Sequence, residues 1–413
     1  METALVAAPS YGAAIEANAR SDERRGIAPV PAEHLVLSGG GKWGSFGAGF
    51  LHALPDRPVY RVVTGVSTGA LQASFVFVGD QPVPAGRAAI YTAANDLALG
   101  ADDPLPGAGR RFIDDLPRAY TVTRSETVIL QKGGLVTAAR KGAAGDFAPL
   151  RRRLELLLDR DMIARIAAAG DEGRGLYVGV IDVDSGDAYA VDMVDLARRA
   201  SDGSTDFRTA QSCYIDVLIA SSSEPLQARP VFFNDAGQPG LNPHMYMDGG
   251  ARFGVFLEEV LDEDGNPALA ERAPRMDTTM VVNGEMGVPA YTADSPAKWG
   301  EQWDLLQLAG RSKDILVDQV YHFSVDRVVR YGGGRGAVRL ATARGYAGHH
   351  YPGSDGLTCA EWRGKEAGIA FPPMFMKCLI DFGRWKATQP GAYDIVKDAP
   401  STVSAAGVLP GGK

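Results

Sequence analysis

Residues 59–78 read VYRVVTGVSTGALQASFVFV. The first part, Val59 to Gly65, is rich in β-branched residues and reads as a strand. The last part, Thr68 to Val78, is apolar and reads as a helix. Between them lies Gly65-Val66-Ser67-Thr68-Gly69. G-x-S-x-G at a strand-to-helix junction suits a turn so sharp that the serine side chain is thrown clear of the backbone. A serine held that way becomes a nucleophile once a base stands beside it. With 50 glycines among 413 residues, the motif alone is weak, and a plain turn stays open as its reading.

Upstream, His34 to Ser38 (HLVLS) is another buried-strand candidate. Gly39-Gly40-Gly41-Lys42-Trp43-Gly44 follows it and opens a small-residue helix that Pro55 and Pro58 end. Strand, glycine turn, helix, strand, turn, helix is the alternation of an α/β sheet with parallel strands and crossover helices. A dinucleotide fold would put an acid at the end of the next strand, and Val59 to Thr64 ends without one. A phosphate loop wants Gly-Lys-Ser/Thr, whereas Gly44 runs straight into Ser45. An oxyanion hole needs adjacent glycine amides, a helix N-terminus and a nucleophile on the next strand end. The last reading is preferred, with Gly39, Gly40, Gly41, Lys42 and Gly44 as its residues; a phosphate site is the alternative.

A carboxylate comes from much further along. Met245 to Met247 reads as a short strand with Asp248 at its end, before Gly249 and Gly250. Asp-Gly-Gly alone is an ordinary turn. Its weight comes from occurring together with the two glycine motifs.

Together these segments resemble the patatin-like phospholipase family. Leu35 to Leu51 (LVLSGGGKWGSFGAGFL) is similar to its opening strand, glycine loop and first helix, and Val62 to Ala73 to its serine turn. Cys213 to Leu226 (CYIDVLIASSSEPL) is similar to a helix and Ala-Ser-Ser segment, and Met247 to Gly250 to its Asp-Gly-Gly/Ala element. The likeness runs over residues 32–290. It implies a three-layer α/β fold with a mostly parallel central sheet flanked by helices. It also implies a Ser67–Asp248 dyad, an acyl-enzyme, lipid acyl-ester substrates of phospholipase A or lysophospholipase type, and no cofactor or metal. The family often carries a basic residue where this chain has Trp43, one place after Lys42. The same dyad would also serve an acyltransferase, a peptidase or a neutral-lipid esterase. Outside that class stand a non-catalytic scaffold and a nucleotide-binding α/β protein.

The expected organisation is an N-terminal arm over 1–31, a catalytic domain over 32–290 and a C-terminal extension over 291–413 packed on that domain, frayed after 400. Residues 80–145 are rich in Ala, Gly, Pro and Asp and read as a cap or lid insertion. Phe147 to Ala169 reads as one amphipathic helix, and Leu176 to Met193 as a hairpin turning at Asp184-Ser185-Gly186-Asp187. That turn does not match an EF-hand loop. Further expectations are helices over Thr209 to Ala220 and Trp303 to Val329, and strands over Thr278 to Asn283 and Ala337 to Ala343.

A net charge of -8 argues against nucleic acid, which wants a basic face. The run Arg151-Arg152-Arg153 could meet anionic head groups but reads first as a solvated helix face. Transient contact with a membrane surface is compatible with a lipid substrate. No apolar run reaches 18 residues, and the N-terminus lacks a basic start and apolar stretch, so a cytoplasmic or peripheral-membrane protein is expected. A trimmed leader is left open, as is the oligomeric state. Cys213, Cys359 and Cys378 fit no metal or redox spacing and read first as free thiols, with a disulfide between two of them as the alternative. Among six histidines, His322, His349 and His350 follow the acid, as a Ser-Asp-His order requires, but none sits in a motif. His244, four residues before Asp248, is a candidate for lining the site.

Overall fold

The computed structural model describes residues 32–84, 110–131, 143–203, 205–233, 244–257, 276–287, 305–334, 336–352 and 355–397. The expected N-terminal arm and the tail after 400 lie outside them. The strands are β1 (Ala32–Leu37), β2 (Val62–Val66), β3 (Leu130–Gln131), β4 (Ala143–Asp146), β5 (Gly175–Asp182), β6 (Ala188–Asp192), β7 (Leu226–Ala228), β8 (Val231–Phe233), β9 (His244–Asp248), β10 (Met276–Val282), β11 (Val338–Thr342) and β12 (Ile395–Lys397). The helices are α1 (Gly44–Ala53), α2 (Thr68–Val78), α3 (Leu116–Tyr120), α4 (Ala148–Leu157), α5 (Arg160–Asp171), α6 (Met193–Ser201), α7 (Phe207–Ser222), α8 (Leu305–Gly333), α9 (Cys359–Lys365) and α10 (Pro373–Ala387).

Nine strands form one sheet in the order β12-β11-β10-β1-β2-β5-β9-β8, with β6 also on β5. The run β11-β10-β1-β2-β5 is parallel throughout. β9 and β6 pair with β5 antiparallel. Alternation along the strands builds the layers. Leu35 and Leu37 of β1 and Val63 of β2 join one core with Phe46, Phe75, Tyr214 and Phe382 of the helices. Val36 and Val62 point the other way, to Met280 and to Val325, Val328 and Val329 of α8. Residues two apart share a face, so buried β-branched and apolar residues at every position demand helices on both sides. The result is the expected three-layer α/β architecture.

Three expectations are corrected. Residues 147–169 are two helices: α4 ends at Leu157, and the Asp159 carboxylate accepts from Met162 N at 3.0 Å to start α5. A side-chain cap of this kind satisfies one of the orphan amides of a new first turn and marks where the second helix starts. The stretch 80–145 is not all peripheral. Phe112, Ile113 and Leu116 are fully buried in the main core, while 85–109 and 132–142 lie outside the described residues. Two cysteines are not free: Cys359 and Cys378 form a disulfide, and Cys213 alone is a buried free thiol. Spacing could not reveal this, because the pairing depends on α9 packing beside α10.

The C-terminal segment completes the fold. β11 extends the parallel sheet. α10 lies against α1 so closely that a Cβ at Gly49 would strike the backbone of Ile380, and one at Gly383 would strike that of Phe46. No described helix is long and apolar enough to cross a membrane.

Candidate active site

Strand register sets up the meeting of distant residues. Val66 of β2 pairs with Gly179 of β5, and the next β5 residue, Val180, pairs with Asp248 of β9. Ser67 and Asp248 therefore leave the sheet at the same level, one strand apart. Ser67 has φ 54° and ψ -124°, a left-handed conformation costly for a side chain with a Cβ. Two glycines make the turn sterically feasible. A Cβ at Gly65 would stand 2.6 Å from Gly69 O, and one at Gly69 would stand 2.5 Å from Leu37 O. The turn is braced as well: Ser67 N donates to Ser221 Oγ at 2.9 Å, and Ser221 Oγ donates to Gly179 O at 2.7 Å.

The Ser67 hydroxyl lies near enough to the Asp248 carboxyl to act on its pKa. Asp248 is 5% exposed. Its backbone N donates to Ser223 O at 3.1 Å, and its Oδ1 accepts from Gly250 N at 2.7 Å. Burial pushes its pKa up to about 7; the Ser67 hydroxyl and the Gly250 hydrogen bond partly offset this. Glu224 pushes the same way as burial and Lys313, paired with Glu224 at 2.5 Å, opposes it. A carboxyl so placed exchanges protons near neutrality, as a general base must.

The glycine loop sorts into two groups. Gly39 N donates to Gly254 O at 3.4 Å, Trp43 N to Gly40 O at 3.1 Å, and Gly44 N to the carbonyls of Gly41 and Lys42. Those amides are engaged within the fold. The amides of Gly40, Gly41 and Lys42 have no acceptor among the described residues. Gly40 at φ 143° could not be another residue, since a Cβ there would strike Asn283 O. The loop is held from beneath. Asn283 Nδ2 donates to Ser38 O at 2.7 Å, and Gln72 Nε2 to Gly44 O at 2.7 Å and Asn283 Oδ1 at 3.0 Å.

A pocket opens between Gly41, Ser67 and Thr68 and runs inward past Leu71, Phe75, Leu154 and Leu157, with Phe371 on its wall. Its lining is overwhelmingly apolar. Arg153 also lines it, buried, with Nη2 donating to Ala119 O at 3.0 Å. The arginine run is thus no solvated face: Arg151 pairs with Asp216, Arg153 is internal, and only Arg152 is exposed. At Trp43 the ring packs edge-on to Tyr346 and Phe375, with the Arg363 guanidinium 5.3 Å above it. A cation from α9 thus covers the side chain at position 43. Lys42 beside it has a lowered pKa, from burial and from Arg363.

No histidine reaches the pair among the described residues. His244 Nδ1 bonds Asp182 Oδ2 at 2.7 Å at the far end of β9, so it does not line the site. His322 pairs with Asp318 and His349 with Asp381. Asp182 also accepts from the amides of Asp184 and Ser185, so the acidic hairpin turn is held by its own carboxylates.

The patatin-like phospholipase family model matches residues 35–261, more than half of the 413-residue chain, and the chain belongs to that family. Its members act on lipid acyl esters, which is the class of activity the family gives this chain. Among solved structures, VipD from Legionella pneumophila is similar at 15% identity and TM-score 0.29, over 86% of this chain and 67% of that one. No curated protein matches the chain.

Proposed function

We propose that the chain is a serine acyl-ester hydrolase of phospholipase A or lysophospholipase type, with Ser67 as nucleophile and Asp248 as its base. The observation that carries this is Ser67 lining an apolar pocket, in a strained turn one strand away from the buried Asp248 carboxyl and near enough to act on its pKa. The ionised carboxylate takes the Ser67 proton as Oγ attacks the ester carbonyl carbon. The carbonyl oxygen becomes an oxyanion and accepts from the Gly40, Gly41 and Lys42 amides; this narrows five candidate residues to three. Collapse expels the alcohol, which leaves with the proton held by Asp248. Water then loses its proton to Asp248 and attacks the acyl-enzyme. The acid departs, and Ser67 regains its proton.

The pocket takes the acyl chain. Each methylene moved from water into it contributes about 0.8 kcal/mol. Gly65, Gly69, Gly249 and Gly250 serve the geometry of the two turns and not the chemistry. The test is product analysis by mass spectrometry on a panel of phospholipids, lysophospholipids and neutral acyl esters, with Ser67→Ala as control. Free fatty acid released by wild type and not by the variant supports the reading. Equal release by both, or transfer of the acyl group to an acceptor without free acid, overturns it.

A further inference from the structure

α8 lies outside the family-matched segment, yet one of its side chains enters the site. Tyr321 lies in a slot that two glycines cut. A Cβ at Gly254 would stand 2.5–2.8 Å from its ring carbons, and one at Gly39 would collide with its hydroxyl and stand 3.1 Å from Ser67 Cβ. The hydroxyl is also 3.5 Å from the Cβ position of Gly250, the residue whose amide holds Asp248. The slot is tied together, because Gly39 N donates to Gly254 O and Gly254 N donates to Ser324 Oγ, one turn along α8 from Tyr321. Burial and the neighbouring Asp248 push the phenol well above its ordinary range, so it stays a neutral O–H donor. The described residues give it no hydrogen-bond partner.

The phenol's position matters more than its presence. The acyl pocket is bounded by Gly41, Ser67 and Thr68, and Tyr321, Gly39 and Gly250 are not part of its wall. An ester bound with its chain in that pocket directs its alcohol away from the chain, toward Asp248, which must protonate it. Water later enters where the alcohol left, because deacylation is acylation in reverse with water in the alcohol's place.

We propose that the Tyr321 hydroxyl is a third functional group of this site, donating a hydrogen bond to the oxygen that departs as alcohol and returns as water. It transfers no proton; Asp248 does that. The inference rests on the Ser67–Asp248 reading and adds a residue to it from the C-terminal segment.

The test is Tyr321→Phe, which keeps the ring in its slot and deletes the hydroxyl. Turnover of an alkyl ester falls about tenfold at unchanged KM, the effect of one hydrogen bond lost at the reacting oxygen. Labelling of Ser67 by a fluorophosphonate keeps the wild-type rate, since fluoride leaves without a proton. Unchanged turnover overturns the proposal, as does labelling that slows in step with turnover. Should the variant fold poorly, the ratio of methanolysis to hydrolysis in water–methanol mixtures is still readable from the folded fraction. A wild-type ratio there also overturns it. Failure of the dyad reading looks different: Ser67→Ala would then retain activity.

Discussion

Replacing Asp248 by asparagine should stabilise the fold while stopping turnover, and by an amount that depends on pH. The buried carboxyl is moved from 3.8 to about 7. At 1.36 kcal/mol per unit, holding it ionised costs the folded state about 4 kcal/mol. The folded chain keeps this proton to higher pH than the unfolded chain does. The cost is therefore absent below pH 3.8, grows as pH rises and is complete above about 7. Asparagine never carries the charge, and it can still accept from Gly250 N. The advantage of Asp248→Asn over wild type should grow from roughly 1–2 kcal/mol at pH 5 to about 4 kcal/mol at pH 8. Urea denaturation of both proteins at the two pH values reads it directly, because every other titrating group is common to the pair and drops out of the difference. A margin that is flat between the two pH values, or a wild type more stable than the variant at pH 8, refutes the account of Asp248 as a desolvated base.

Four further outcomes follow from the same geometry. The kcat/KM of wild type should fall as pH drops below about 7, as Asp248 takes up its proton, and a stopped assay across pH 5 to 9 checks this. Lys313→Ala removes the cation that opposes the rise, so that midpoint should move to higher pH. Ser221→Ala removes the acceptor of Ser67 N and the donor to Gly179 O, so it should lower kcat about tenfold or more by loosening the turn and cost about 1–3 kcal/mol of stability, read as a drop in melting temperature. Leu154→Trp shortens the pocket and should shift preference toward shorter acyl chains, read as kcat/KM over a chain-length series.

What could be read from residues alone was local. The helix Thr68 to Val78 and the hairpin turn at residues 184–187 come from signals within a few positions, and the structure has both. The family likeness was legible because its glycines are steric requirements, as Gly65 and Gly69 show. What escaped depends on contacts across the chain. Ser221 and Ser223 stood in a quoted segment, but their bonds to Ser67 N and Asp248 N needed the register of β2, β5 and β9. Asn283 ends a strand that was expected, yet nothing local says that its amide clamps Ser38. Tyr321 had no motif around it. Gly254 has no positive φ to adopt and is small for the sake of a ring from α8, which only the structure shows. The arginine run misled because a basic triplet on a helix is usually solvated, and only tertiary packing buries Arg153.

The central claim is that Ser67 bears the acyl group and Asp248 makes it reactive. Intact-mass analysis after exposure to a fluorophosphonate, followed by peptide mapping, tests it most directly. A single adduct on Ser67, absent in Ser67→Ala and formed far more slowly in Asp248→Asn, is the predicted result. An adduct on another residue, or one that forms as fast without the Asp248 carboxylate, contradicts the account.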